Sequence, residues 1–305
     1  MRYAIEPDAM LDRCRRLQWS VDDIDWDAPG ADRVGPDQRL ALAGFMADLY
    51  WIESIAAQVF ARMRDATAEP ALAAIFDSFA VDEQRHADAE LMLMRRWGIA
   101  GRREIPAPNP NARNLLRAIE RAGDRVHPAV YSAIIPFTEL VLDGALVKHL
   151  DVNVLDPVCR DVFRRINADE ARHLAVDFYM LERYGAERPA AANLADAART
   201  AAHPVVLYAL ALGYLPMLHR VTPNIERMGL SQEQVFACIR RYVALGRESE
   251  GAARHPVYAM FRGFSRGILA GRTGLGELLV RVSDLCDALQ LQLRPARPAI
   301  ERRAA

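Results

Sequence analysis

One stretch of the chain occurs twice, and this repeat constrains the fold more than any other sequence feature. Residues 82–98 read DEQRHADAELMLMRRWG and residues 169–185 read DEARHLAVDFYMLERYG, aligned without gaps at an offset of 87 positions. Six positions are identical, among them the Asp-Glu pair, the arginine and the histidine with which each copy begins. A repeat of this kind indicates that one supersecondary unit is used twice. We therefore expect two similar helical hairpins.

Each copy contains a glutamate and a histidine three positions apart, and each pair is a candidate metal clamp. On a helix this spacing places both side chains on one face, within reach of a single ion. A lone glutamate precedes each pair: Glu53 lies 30 residues before Glu83, and Glu139 lies 31 residues before Glu170. Either separation is about the length of one helical hairpin. A single Glu-x-x-His would more often be a solvated polar pair, but two copies with two similarly spaced acids favour a metal site. The candidate ligands are Glu53, Glu83, His86, Glu139, Glu170 and His173.

The neighbours of these glutamates predict that the acids are buried. Leu49, Ala56 and Phe60 accompany Glu53 at helical spacing, and the other three glutamates share faces with apolar residues in the same way. Burial of an ionised carboxylate is costly unless the charge is paired. Two divalent cations would nearly balance the four acids. Oxygen-rich ligation with some imidazole suits iron or manganese.

Four residues beside the ligands are predicted to support them: Asp82, Asp169, Arg85 and Arg172. Ligating histidines generally donate their second ring proton to a carboxylate. We predict that each aspartate holds the histidine of the opposite repeat and that an arginine pairs with that aspartate. The alternative is an ordinary Asp–Arg pair on the surface of each helix. Glu90 and Asp177, one turn beyond the histidines, are interpreted as salt-bridge partners rather than ligands.

The hydrophobic pattern predicts an all-α protein with three regions. Residues 1–36 show no sustained period and are expected to form an irregular N-terminal arm. Residues 37–188 contain four long helical segments, and the third, predicted from Pro128 to Leu150, contains Pro136 as an expected kink. A short helix is expected near 112–123. Residues 189–305 read as further helices, roughly 190–220, 231–247, 256–270 and 274–292, that complete the same domain.

Composition and charge limit the partners. The 305-residue chain carries 39 basic and 40 acidic residues, so it lacks the positive excess that nucleic-acid binding generally requires. Its four cysteines lie far apart without a CxxC pair, which argues against a zinc ribbon or a dense disulfide framework. We expect a cytoplasmic protein without a membrane span. The N-terminus lacks the apolar run of a signal peptide, and the most apolar segment, 205–218, is short for a membrane helix.

The two halves, E-x28-DEQRH from Glu53 and E-x29-DEARH from Glu139, resemble the ferritin-like di-iron carboxylate superfamily. The DExRH form is most similar to the p-aminobenzoate N-oxygenase group, and acyl-carrier-protein desaturases show a similar second copy. Those N-oxygenases carry one more histidine ligand, at the position that Ile166 occupies here. The resemblance covers about residues 40–185. It implies a ferritin-like four-helix bundle with additional C-terminal helices, two iron ions or a manganese–iron pair, and O2 as co-substrate.

The ligand set and the resemblance together predict an enzyme: a non-haem di-iron oxygenase that oxidises a small organic molecule by N-oxygenation or hydroxylation. Electrons are expected from an external ferredoxin or reductase, because no flavin, nicotinamide or iron–sulfur motif is visible. One alternative is an acyl desaturase-like oxidase. Others are a ferroxidase or metal-storage protein without organic substrate, and a helical protein whose metal is structural. The C-terminal helices would form either the wall of a substrate pocket or a homodimer surface.

Overall fold

The computed structural model describes residues 2–122, 126–141, 148–186, 203–272 and 274–289, together with a few isolated positions between them. Every extended regular element in these residues is a helix, so the fold class is all-α. The helices are α1 (Pro7–Arg16), α2 (Pro36–Ala66), α3 (Pro70–Arg96), α4 (Pro110–Ala122), α5 (Pro128–Val141), α6 (Lys148–Asn153), α7 (Pro157–Ala186), α8 (Pro204–Arg227), α9 (Gln232–Glu248), α10 (Glu250–Arg254), α11 (Pro256–Leu269) and α12 (Gly274–Ala288).

Local sequence signals set the ends of the two long helices of the first repeat. Both α2 and α3 begin with a proline in the first turn, where its missing N–H would have no intrahelical partner anyway. The end of α3 is set by Gly98, which adopts a left-handed conformation with φ of 69°. The N–H of Ile99 then donates to the Met94 carbonyl at 2.8 Å and closes the last turn. Only three residues separate α2 from α3, so the two helices pack side by side.

The two hairpins meet through their second helices. Helix α2 packs along α3, α5 packs along α7, and α3 contacts α7. Phe60 of α2 and Phe76 and Phe79 of α3 form a buried cluster with Val176 and Met180 of α7. This arrangement brings the two repeated segments face to face across the interior of the molecule.

The C-terminal helices share a hydrophobic core with the repeats. One buried cluster joins Ile55 of α2 and Phe137 of α5 to Met217 of α8, Tyr242 of α9 and Phe261 of α11. Within α8, residues Ala209–Tyr214 form a π-helical turn. The boundaries of α9, α11 and α12 lie within a few residues of the predicted ones, whereas the short helix α10 was not predicted. Of the predicted 190–220 helix, the part before residue 203 lies almost entirely outside the described residues.

One expectation about local structure was wrong. The arm is not irregular throughout: Pro7–Arg16 is a helix whose Leu11 and Cys14 are buried against the α2–α3 hairpin. Its apolar positions are few, which is why no sustained period was visible. The third long helix was predicted from Pro128 to Leu150, and the structure describes helix over Pro128–Val141 and again from Lys148. Whether the predicted helix is continuous depends on residues that, apart from Gly144, lie outside the described part of the chain.

Among the residues that the structure describes, two helices are long and apolar enough to cross a membrane by length and composition, Pro36–Ala66 and Pro204–Arg227. The core helix of a soluble protein passes the same test, and half of the apolar window in α2 is buried inside the protein. The absence of a membrane span and the cytoplasmic location both stay predictions.

Candidate metal centre

The six predicted ligands lie together at the centre of the molecule. Helix α2 supplies one glutamate, α5 supplies another, and α3 and α7 each supply a glutamate and a histidine. None of the six side chains belongs to a residue more than 5 % exposed. They are Glu53, Glu83, His86, Glu139, Glu170 and His173. The repeat thus brings equivalent residues of the two hairpins to one place.

These side chains form two overlapping ligand sets. In each set, one candidate ligand atom from every residue lies within 4.8 Å of the others. The first set contains Glu53 and His86, the second contains Glu139 and His173, and both contain Glu83 and Glu170. Two cations held by these sets would share the two glutamates. The donors are carboxylate oxygens and imidazole nitrogens, which suit iron or manganese.

The inner atoms of the cluster lack the partners that buried polar atoms normally have. His173 Nδ1 lies 2.9 Å from Glu83 Oε1 and 3.0 Å from Glu170 Oε2, and His86 Nδ1 lies 3.0 Å from Glu170 Oε1. Both Nδ1 atoms, Glu83 Oε1 and Glu170 Oε2 nevertheless make no hydrogen bond. Because buried polar atoms are rarely left unpaired, this convergence fits a metal pair.

The outer side of each histidine faces an aspartate of the opposite repeat. His86 Nε2 lies 3.0 Å from Asp169 Oδ2, and His173 Nε2 lies 3.3 Å from Asp82 Oδ2. These are the cross-repeat contacts that the sequence predicts. They turn each Nδ1 inward and leave it available as a ligand.

Two buried arginines complete this outer layer. Arg85 bonds to Asp82 and lies 3.1 Å from Asp169. Arg172 donates to Asp169 at 2.6 Å and reaches Asp82 at 3.4 Å. Each arginine therefore bridges both aspartates, whereas the sequence predicted one arginine for each. The surface-pair alternative is excluded, because Arg85 is only 8 % exposed and Arg172 only 1 %.

The N-terminal arm adds two residues that sequence reasoning missed. Trp19 Nε1 donates to Asp169 Oδ2 at 2.7 Å, and the indole stacks beside the His86 ring. Gln18 donates to Asp82 at 2.9 Å and accepts from Arg85 at 2.6 Å. Neither residue belongs to a motif or a periodic segment, so no sequence signal could have identified them.

The acids and bases of the cluster have strongly perturbed pKa values. Burial, followed by the charges of Glu170 and Glu53, raises the pKa of Glu83 well above its ordinary range. Burial alone would lower the pKa of His173, but the charge of Glu170 and the hydrogen bond to Asp82 raise it to about 9. Burial also opposes ionisation of Asp169, but the hydrogen bond to His86 and the charges of His86 and Arg172 together outweigh it, so the pKa of Asp169 falls. Without a metal, protons supply the positive charge inside the cluster.

Glu90 and Asp177 do not form the predicted salt bridges. Both side chains are buried, at 0 % and 1 % exposure, and no oxygen of either carboxylate makes a hydrogen bond. Burial and neighbouring carboxylates raise both pKa values well above the ordinary range. The sequence rule for charged groups one turn apart assumes a solvated helix face. Here both side chains lie inside the protein instead.

A cavity of about 1020 Å³, including its part open to solvent, reaches the cluster. The four ligand glutamates, Glu53, Glu83, Glu139 and Glu170, form one part of its wall. Aliphatic side chains of α2, α4, α5 and α8 form most of the rest, among them Ile55, Leu115, Ile134, Val206, Leu210 and Met217. Helices α4 and α8 thus form the wall that encloses space beside the candidate ligands.

Comparison with known proteins leaves the chain without a family. The sequence matches no protein-family model and no curated protein.

Proposed function

We propose that this chain is an oxygen-activating oxidoreductase of the ferritin-like type, with two iron ions, or one manganese and one iron, in the buried cluster. The observation that carries the proposal is the pair of overlapping ligand sets that share Glu83 and Glu170. Helices α2, α3, α5 and α7 would be the four helices of the bundle. A reduced metal pair at this position would supply the electrons and the Lewis acidity that activate O2.

The chain's own residues would hold that pair in a fixed geometry. Glu53 and His86 would bind one ion and Glu139 and His173 the other, with the two shared glutamates between them. Asp169 and Asp82 would fix the tautomer and orientation of the imidazoles, since each accepts from one Nε2. The phenylalanines beside His173 exclude water from that end of the cluster.

An organic substrate is favoured over iron storage by the cavity. Four ligand glutamates line a space enclosed largely by aliphatic side chains, and such a space suits an organic molecule beside the metals. A storage protein would need a polar path for iron ions instead. We expect oxygenation or a related two-electron oxidation, with electrons from an external ferredoxin or reductase. A homodimer built on the C-terminal helices stays a prediction.

The test is anaerobic loading of the full chain with ferrous iron, followed by metal analysis and mixing with O2. We expect about two irons per chain, as the two ligand sets imply, and rapid O2 consumption with a transient visible absorption. The control is Glu170→Ala, because Glu170 belongs to both sets. Less than one iron per chain would refute the proposal. Accumulation of mineral iron would instead favour a ferroxidase.

A further inference from the structure

The wall of the cavity beside the glutamates is almost free of polar groups. Among the described residues that line it, the only charged side chains are the four candidate ligand glutamates. The other polar side chains are Thr138, Tyr131 and Tyr214. Everything else that lines the space is aliphatic. A bound molecule would therefore meet hydrocarbon on all sides except toward the metals.

The three hydroxyl groups in this wall are poor candidates for recognising a charged group. The Thr138 and Tyr214 hydroxyls lie 3.0 Å apart and hydrogen-bond to each other. The Thr138 hydroxyl can also donate to the Ile134 carbonyl oxygen, which lies 3.3 Å from its Oγ1. Burial raises the pKa of Tyr131 to about 12, so this phenol stays neutral. No cation is positioned by the described lining residues to pair with a carboxylate or a phosphate.

A charged ligand would lose solvation in this cavity without gaining a partner. Burial of an unpaired carboxylate or ammonium is strongly unfavourable, whereas each buried methylene group contributes favourably. At the metals, a carboxylate would find a cationic charge that the four glutamates already balance. The wall thus selects for an uncharged, flexible, apolar molecule and against an amino-benzoate.

We propose that the molecule oxidised at this site is an uncharged aliphatic chain, attacked at a C–H bond. This inference rests on the proposed function for the reaction, but the binding preference rests on the cavity alone. Hydroxylation would break one C–H bond and place one oxygen atom of O2 in it. The other oxygen atom would leave as water, with two electrons from the external donor and two protons from solvent. Desaturation would break two adjacent C–H bonds and return both oxygen atoms as water, with the same donor.

The test measures ligand binding to the metal-free full chain, so it does not depend on activity. Straight-chain alkanols of increasing length, from hexanol upward, are titrated calorimetrically beside 4-aminobenzoate. We expect the Kd to fall about fourfold for each added methylene until the cavity is full, and then to level off. The 4-aminobenzoate should bind more weakly than the longest alkanol that fits.

Two variants that fill this cavity and one control locate the binding site. Ala209→Phe and Leu210→Trp place bulk at partly buried lining positions, so the length at which affinity levels off should shorten. The control, Gly267→Leu, fills a second apolar cavity between α5, α8, α9, α11 and α12. A Cβ atom added at Gly267 would meet no atom of the surrounding residues within 4 Å. Gly267→Leu should not change the alkanol length at which affinity levels off. Circular dichroism verifies folding of each variant.

Three results would overturn the inference. The first is a Kd that does not depend on the length of the alkanol. The second is tighter binding of 4-aminobenzoate than of every alkanol. The third is that Gly267→Leu, but neither Ala209→Phe nor Leu210→Trp, shortens the alkanol length at which affinity levels off. Iron loading and O2 uptake are measured separately on the same protein. A length-dependent series without iron loading would refute the proposed function and support the aliphatic preference. Iron loading together with tighter binding of 4-aminobenzoate would support the proposed function and refute the aliphatic preference.

Discussion

Asp169 provides the sharpest test of the outer layer of the cluster. It accepts hydrogen bonds from Trp19 at 2.7 Å and Arg172 at 2.6 Å, and lies 3.0 Å from His86 Nε2. Asp169→Asn keeps the size of the side chain but removes its charge. The change leaves the positive charge of two buried arginines opposed by Asp82 alone.

Two effects follow from this geometry. Breaking a buried ion pair costs about 3 to 5 kcal/mol of stability. Because the amide oxygen of Asp169→Asn still accepts a hydrogen bond, we expect a cost at the lower end of this range, about 3 kcal/mol. Loss of the carboxylate that orients a ligating histidine typically weakens metal binding 10- to 100-fold, or about 1.4 to 2.7 kcal/mol. We expect both effects in Asp169→Asn. Urea unfolding of the metal-free protein measures the first, and competition with a chelator for ferrous iron measures the second.

Asp156, the residue immediately before α7, offers a matched control. It is also fully buried, and it also accepts from an arginine and a tryptophan: Arg96 Nε at 2.8 Å and Trp97 Nε1 at 2.8 Å. It belongs to neither ligand set and contacts no candidate ligand through these bonds. Asp156→Asn should lose similar stability and keep full iron affinity. Equal losses of iron affinity in both variants, or no loss in Asp169→Asn, would refute the positioning role.

Three further predictions concern the rest of the buried polar groups. Because burial raises the pKa values of Glu90 and Asp177, the folded protein binds their protons more tightly than the unfolded chain and loses stability as pH rises. Glu90→Gln and Asp177→Asn should therefore reduce the loss of unfolding free energy between pH 5 and pH 9. An unchanged slope of unfolding free energy against pH would contradict this prediction. Burial lowers the pKa of His255 to about 4, so up to roughly 3 kcal/mol of stability should be lost as pH falls from 7 through 4, and His255→Asn should abolish that loss in acid-unfolding curves. Trp19→Phe keeps an aromatic ring but removes the bond to Asp169, and should cost roughly 1.5 kcal/mol in urea unfolding with a smaller change in iron affinity than Asp169→Asn.

The sequence was most informative in the duplicated segment, where the same residue types occur twice at the same spacing. The duplicated segment predicted both Glu-x-x-His pairs, and the structure places Glu83 and Glu170 in both ligand sets. The cross-repeat contacts of Asp82 and Asp169 were predictable because a ligating histidine needs a second partner. In each case two copies of one pattern constrained the geometry that a single copy would have left open.

Other features depend on contacts that no local pattern encodes. Trp19 reaches Asp169 across 150 positions of sequence, from an arm without hydrophobic periodicity. The cavity wall combines α4 and α8, which lie outside the repeat, so its shape follows from packing rather than from a motif. Glu90 was misassigned because its spacing from His86 is the same in a salt bridge and in a buried acid. Only its complete burial without a hydrogen-bond partner separates the two cases.

The balance of buried charge links the fold to the metal pair. Four ligand glutamates and two outer aspartates lie in one interior, and Arg85 and Arg172 pair with the two aspartates. The arginines can neutralise the aspartates, so the charge of the glutamates acts on the other groups of the cluster. The pKa values of His86, His173 and Glu83 are raised, which favours protons on these groups in the metal-free chain. Two divalent cations would displace those protons and restore the imidazoles to the neutral form that binds metal. Four such acids in an apolar interior therefore need cations or protons to balance them, and the presence of Glu83 and Glu170 in both ligand sets supports the proposal that cations do so.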